Sequence, residues 1–219
     1  MIYNTKIDTF NKNNKTEISR DYILNNVVFR LVGDRKKDEL CGRPYEKVFD
    51  LIKIYTVFVP ELAEENGVAM IQVTDALLHK FNITEEEMKE AAEENTPDLF
   101  PAIFKELSEV MSSLGVLPKD EVRENKMYVL SNNKCINGAA AIFYDEVLDI
   151  IAEKLDGDLI ILPSSIHEVL ILKREDDMDP YALKSIVENV NETVLDASDF
   201  LSQNVYQYSK GEKSFKPLF

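Results

Sequence analysis

Residues 127–172 constrain the fold more than any other part of the chain. They read strand, helix, strand, turn, strand: Met127-Tyr-Val-Leu-Ser, then 138–155, then Leu159-Ile-Ile-Leu, then Pro163-Ser-Ser-Ile, then Val169-Leu-Ile-Leu. The last two apolar runs show no alternation with polar residues. A strand wetted on one face alternates with period two, so unbroken runs predict strands covered on both faces. The helical part opens at Asn137-Gly138, presents Phe143, Val147, Ile150, Ile151 and Leu155 on one broad face, and closes at Asp156-Gly157.

Upstream, residues 1–26 are polar and read as a loose leader. Val27-Val-Phe-Arg-Leu-Val is a β-branched run ended by Gly33-Asp34, a strand and its turn. Residues 51–59 and 68–73 read as a hairpin with a long acidic loop, with a helix over 45–58 as the competing pattern. Thr74 caps a short helix carrying Ala76, Leu77, Leu78 and Phe81. Thr84 and Glu87 then form a capping box that opens a second helix, which Asn95-Thr-Pro-Asp is expected to end. Residues 101–114 place Ile103, Phe104, Leu107, Val110, Met111 and Leu114 at helical spacing. A further helix opens at Asp179-Pro180 and runs to about 194. Residues 204–208 are a candidate edge strand, and 209–219 a loose tail.

These elements predict an α+β fold, a mainly antiparallel or mixed sheet with helices packed against it. One domain is expected over 27–208, with a subdivision conceivable near 116–126. In 219 residues, 45% hydrophobic, a core can form without disulfides or metals. Two isolated cysteines, Cys41 and Cys135, and no signal-like or membrane-length apolar run point to the cytoplasm and away from membranes.

Lys and Arg number 25 against 40 Asp and Glu, a net charge of −15. Binding a phosphate backbone relies on basic side chains that displace counterions, so direct nucleic-acid binding is disfavoured. The acidity is either a solubilising surface or the face of an inhibitor that imitates nucleic acid and occupies a basic partner.

Only Ser164-Ser165-Ile166-His167-Glu168 resembles a catalytic cluster. Ser164 or Ser165 would be the nucleophile, His167 the base and Glu168 its orienting acid. In an extended backbone Ser165 and His167 share a face while Glu168 points away, and no Gly-x-Ser-x-Gly elbow is present. The competing reading is a turn between core strands whose serine hydroxyls serve turn amides. Metal ligation has little to draw on: the chain holds His79 and His167, and Ile171 stands where a second metalloprotease histidine would be needed. Residues 176–179 lack the glycine and glutamate of a calcium loop. No glycine pattern fits a nucleotide cofactor, so no cofactor is expected.

Several segments carry a family resemblance: Asp50-Leu-Ile-Lys-Ile-Tyr, Val73-Thr-Asp-Ala-Leu-Leu, Asn82-Ile-Thr-Glu-Glu-Glu, Ala92-Glu-Glu-Asn-Thr-Pro, Met127-Tyr-Val-Leu-Ser-Asn, Ile136-Asn-Gly-Ala-Ala, Leu162-Pro-Ser-Ser-Ile-His-Glu-Val and Asn204-Val-Tyr. In this order, over about 27–208, the chain resembles the bacterial family called domain of unknown function 5688, from gut Firmicutes. Members usually carry a longer N-terminal region, replaced here by the polar leader. The resemblance implies a shared fold and no particular activity. The expectation is therefore a non-catalytic cytoplasmic module that binds a protein or small ligand, with the acidic inhibitor and the serine hydrolase as alternatives.

Overall fold

The computed structural model describes residues 18–63, 67–113, 126–193 and 196–218. The conceivable subdivision near 116–126 lies almost wholly outside them, as does most of the leader. The fold is α+β, built on two antiparallel sheets.

Helix α1 (Arg20–Asn26) leads into β1 (Val27–Gly33), followed by β2 (Tyr45–Val48), β3 (Leu51–Phe58) and β4 (Met70–Gln72). The competing helix over 45–58 does not form. Strand β3 is the middle of this N-terminal sheet: β1 pairs along one side of it, and β2 and β4 share the other. All eight residues of β3 are buried, as its density of β-branched and aromatic residues requires.

Helices α2 (Asp75–Phe81) and α3 (Glu85–Leu99) start at the expected caps. The Thr74 hydroxyl accepts from the Leu77 amide, and Thr84 and Glu87 close the capping box. Leu77 and Leu78 are buried, but Ala76 is exposed. Helix α3 also passes the Asn95-Thr-Pro-Asp signal and keeps Pro97 inside it. Thr96 supplies the reason. Its hydroxyl bonds the Ala92 carbonyl within the helix and accepts the Phe29 amide from the free edge of β1 at 3.0 Å. The last turn is held by the neighbouring sheet, which outweighs the proline's local cost.

The helix expected over 101–114 is a strand followed by a shorter helix, β5 (Ala102–Glu106) and α4 (Leu107–Ser113). Pairing with β6 (Met127–Asn132) captures its first half. The helix expected over 138–155 is also divided, into a 3-10 turn (Gly138–Phe143) and α5 (Val147–Leu155). Tyr144 leaves the helical region and Glu146 adopts a left-handed backbone between them, which turns Ile150 outward to 61% exposure.

Strands β7 (Leu159–Pro163) and β8 (Val169–Lys173), helix α6 (Pro180–Thr193), β9 (Tyr206–Ser209) and β10 (Ser214–Pro217) complete the chain, and the C-terminal sheet runs β10-β9-β7-β8-β6-β5. Asp179 caps α6 by accepting the Tyr181 amide. The expected edge strand β9 is interior, because the supposed loose tail folds back as β10. As their unbroken apolar runs require, β7 and β8 are covered on both faces. Leu159, Ile161, Val169 and Ile171 join Val27, Phe29, Leu31 and Leu51 in a core shared by both sheets. Ile160, Leu162 and Leu172 pack with Val187 of α6 on the other side.

A polar joint fastens the sheets. The turn between β2 and β3 presents Asp50, whose carboxylate accepts from Ser202 at 2.6 Å and from the hydroxyl of Tyr206 in β9. Burial alone would raise the Asp50 pKa, but hydrogen bonds from Ser202, Tyr206 and Asn204 outweigh it and hold the group below its ordinary value. Phe49 beside it packs on Phe215, which stacks on the Tyr206 ring. No helix among the described residues is long and apolar enough to cross a membrane.

Candidate functional site

Antiparallel pairing of β6 with β8 puts the end of β6 beside the turn that enters β8. This brings residues 131–139 against 164–168, stretches that overlap three of the segments carrying the family resemblance. The loop after β6 is organised by Asn132, almost wholly buried. Its side-chain oxygen accepts the amides of Lys134 and Ile136, and its nitrogen donates to the Ile136 carbonyl at 2.8 Å. Cys135 and Asn137 take left-handed backbones that let the loop double back. Gly138 then enters the packing. A Cβ there would lie 2.2 Å from the Ser131 hydroxyl and 2.6 Å from both the Asn132 amide and the His167 carbonyl.

Ser165, His167 and Glu168 do meet, in a turn rather than an extended segment. The Ser165 amide donates to the Glu168 carbonyl at 3.1 Å. The Ser165 hydroxyl accepts the His167 amide at 3.0 Å and donates to the Glu168 carboxylate at 3.4 Å, with Ser164 donating to the same oxygen at 3.5 Å. His167 faces elsewhere. Its Nδ1 accepts the Asn137 amide at 3.2 Å, which fixes the tautomer that carries its proton on Nε2. Nε2 faces Asp199 at 3.6 Å. The Asp199 carbonyl accepts the Ile166 amide, the Ala139 amide donates to the Ile166 carbonyl, and the Ser131 hydroxyl donates to the His167 carbonyl. For His167 to serve a nucleophilic serine as base, one of its nitrogens must face that hydroxyl, and each nitrogen here is directed at another group.

Sequence reasoning missed Ser131, Asn137 and Asp199. Asn137-Gly138 did carry a turn signal, but nothing local pointed to Asp199, which reaches the turn only through the tertiary fold. His79 lies exposed on α2. Among the described residues no group of three or more His, Cys, Asp or Glu could hold a metal ion.

A concavity opens at the opposite end of the C-terminal sheet, where β6 begins and β8 and α5 end. It has a volume of about 330 Å³ and is lined by Lys126, Tyr128, Lys154 and Leu155, and by Leu172, Lys173, Glu175 and Met178. By contrast, the cleft where Arg30, Asn137 and Tyr144 approach between the sheets encloses about 10 Å³, room for about one water.

No curated protein and no solved structure matches the chain. The model of a family of unknown function, DUF5688, matches residues 2–210, and the chain belongs to that family.

Proposed function

We propose that this protein is a non-catalytic binding module of the bacterial cytoplasm that takes a small ligand or a protein partner. One observation carries the reading: the Ser165 hydroxyl is spent on closing its own turn, and the His167 ring on tying that turn to the loop after β6. Ser165 accepts one amide of its own turn and donates to Glu168, while His167 Nδ1 is occupied by the Asn137 amide. The same groups would have to be released before they could activate a nucleophile. The cavity of about 330 Å³ falls at the lower end of the range of ligand sites. Cys41 and Cys135 are both free, exposed thiols, which suits a reducing compartment. The core shared by the two sheets supports reading 27–208 as one domain.

The test is treatment of the full chain with a fluorophosphonate probe, followed by peptide mapping. No adduct is expected on Ser164 or Ser165. An adduct on either serine that disappears in His167→Ala would replace the binding reading with the hydrolase.

A further inference from the structure

The cavity at the end of the C-terminal sheet carries a charge balance opposite to that of the whole chain. Lys126, Lys154 and Lys173 line it against one carboxylate, Glu175, in a protein of net charge −15. Its remaining lining is apolar or aromatic: Tyr128, Leu155, Leu172 and Met178.

The lysines are placed by the fold. Lys173 ends β8, and its stem crosses Gly157, where an added Cβ would meet its Cε at 3.0 Å. Lys154, in the last turn of α5, lies over the Phe104 ring at 5.2 Å. Phe104 in turn stacks on Tyr128 at 4.8 Å, with the rings 19° apart. Lys126 precedes β6 and pairs with Glu106 at 3.4 Å. The amides of Asp156 and Gly157 cap carbonyls at the end of α5, which reduces the negative helix end's opposition to an anion beside Lys154. The acidic field of the rest of the surface is screened within about 10 Å at ordinary salt, so the nearby ammonium groups set the local preference.

We propose that this cavity binds a small organic anion, a carboxylate or phosphate group on an apolar or aromatic body. The anionic group would sit between Lys154 and Lys173, and the body would lie against Tyr128, Leu172 and Met178. The proposal rests on the binding-module reading and specifies its ligand.

Calorimetric titration of the full chain with phenyl phosphate, benzoate and benzyl alcohol tests it. Saturable binding of phenyl phosphate or benzoate is expected, and the preferred one identifies the anionic group. Benzyl alcohol should bind at least about tenfold more weakly, the loss expected when charge-assisted hydrogen bonds disappear. Lys154→Gln and Lys173→Gln should each weaken the preferred anion by about the same factor. Lys89→Gln, on α3, should leave binding unchanged. Circular dichroism checks that each variant is folded. No saturable binding of either anion overturns the proposal, as does binding that both cavity substitutions leave intact. Equal affinity for benzyl alcohol would overturn its electrostatic part. All these outcomes are separate from serine labelling, which bears on the non-catalytic reading alone.

Discussion

Asp50 and Tyr206 join across 156 positions of sequence, a carboxylate in a turn of one sheet receiving a hydroxyl from a strand of the other. The Tyr206 side chain is wholly buried, and Ser202 donates to the second carboxylate oxygen. Tyr206→Phe keeps the ring that stacks on Phe215 and removes only the hydroxyl, which bonds Asp50 and also reaches Ser202 at 3.1 Å. It should cost about 1.5–3 kcal/mol, the usual value of a bond to a charged acceptor, read from urea unfolding. The pH dependence follows from the lowered Asp50 pKa. Its contribution is present in full above the unfolded-state value and is lost as pH falls through the folded-state value. Asp50→Asn should therefore lower stability at neutral pH and reduce its loss on acidification.

Tyr55 gives the opposite expectation. Its hydroxyl is buried with no hydrogen-bond partner among the described residues, and burial, then the charges of Glu46, Glu93 and Glu85, raise its pKa and keep it neutral. An unsatisfied buried hydroxyl costs free energy, so Tyr55→Phe should leave stability unchanged or raise it by up to about 1 kcal/mol. The same urea experiment distinguishes these two tyrosines, which sequence alone does not.

Lys53 is 8% exposed and inserts its ammonium between the rings of Phe29 and Phe143, 4.7 and 5.0 Å from their centres. Its carboxylate partner is the half-exposed Glu93, at 2.7 Å. Glu93→Ala leaves a buried charge without its counterion and should cost about 1–3 kcal/mol, less than a fully buried pair because water reaches Glu93. Adding Lys53→Met to that variant should recover most of the loss, because an apolar chain of similar length suits the two rings. A thermal melt of the single and double variants checks the sign.

Gly138 and His167 form the tightest point of the candidate site. Gly138→Ala forces a methyl group into the Ser131 hydroxyl and two backbone groups, an overpacking expected to cost about 1–3 kcal/mol. His167→Ala strips the Asn137 amide of its acceptor, for a loss of roughly 1–3 kcal/mol. His167→Asn, whose amide oxygen can reach the place of Nδ1, should restore much of it. Rescue by Asn would identify a structural histidine; equal damage from both substitutions would count against that role.

The most legible parts of the sequence were those whose local pattern and tertiary setting agree. The apolar runs of β7 and β8, the β-branched run of β1 and the Thr84–Glu87 capping box all fold as their residues predict. Failures occurred where a partner outvoted the local pattern. Ile103 and Phe104 fit a helix continuing to Val110, yet β6 offers a register from Ala102 to Glu106 and the backbone takes it. Pro97 should have ended α3, but Thr96 is tied to the edge of β1. At the candidate site the Ser-Ser-Ile-His-Glu turn was legible as a cluster, and its hydroxyl-to-amide bond fits the expected turn. The direction of the imidazole was not legible, because Asn137 and Asp199 reach it from separate loops. The lysine-lined cavity was likewise invisible, since Lys126, Lys154 and Lys173 share no local pattern.

The place of β9 between β7 and β10 has a consequence for how the chain comes to be folded during synthesis. Strand β7 leaves the ribosome well before residues 206–209, its neighbour on the side away from β8. A nascent chain ending before Tyr206 has already produced every strand of the N-terminal sheet, yet Asp50 lacks the hydroxyl that completes its joint and β7 shows an open edge. At elongation rates of about 5–20 residues per second, that edge waits a few seconds for its cover. Ribosome-bound chains released just before Tyr206 should therefore be the most prone to associate through β7, and those that include Pro217 the least.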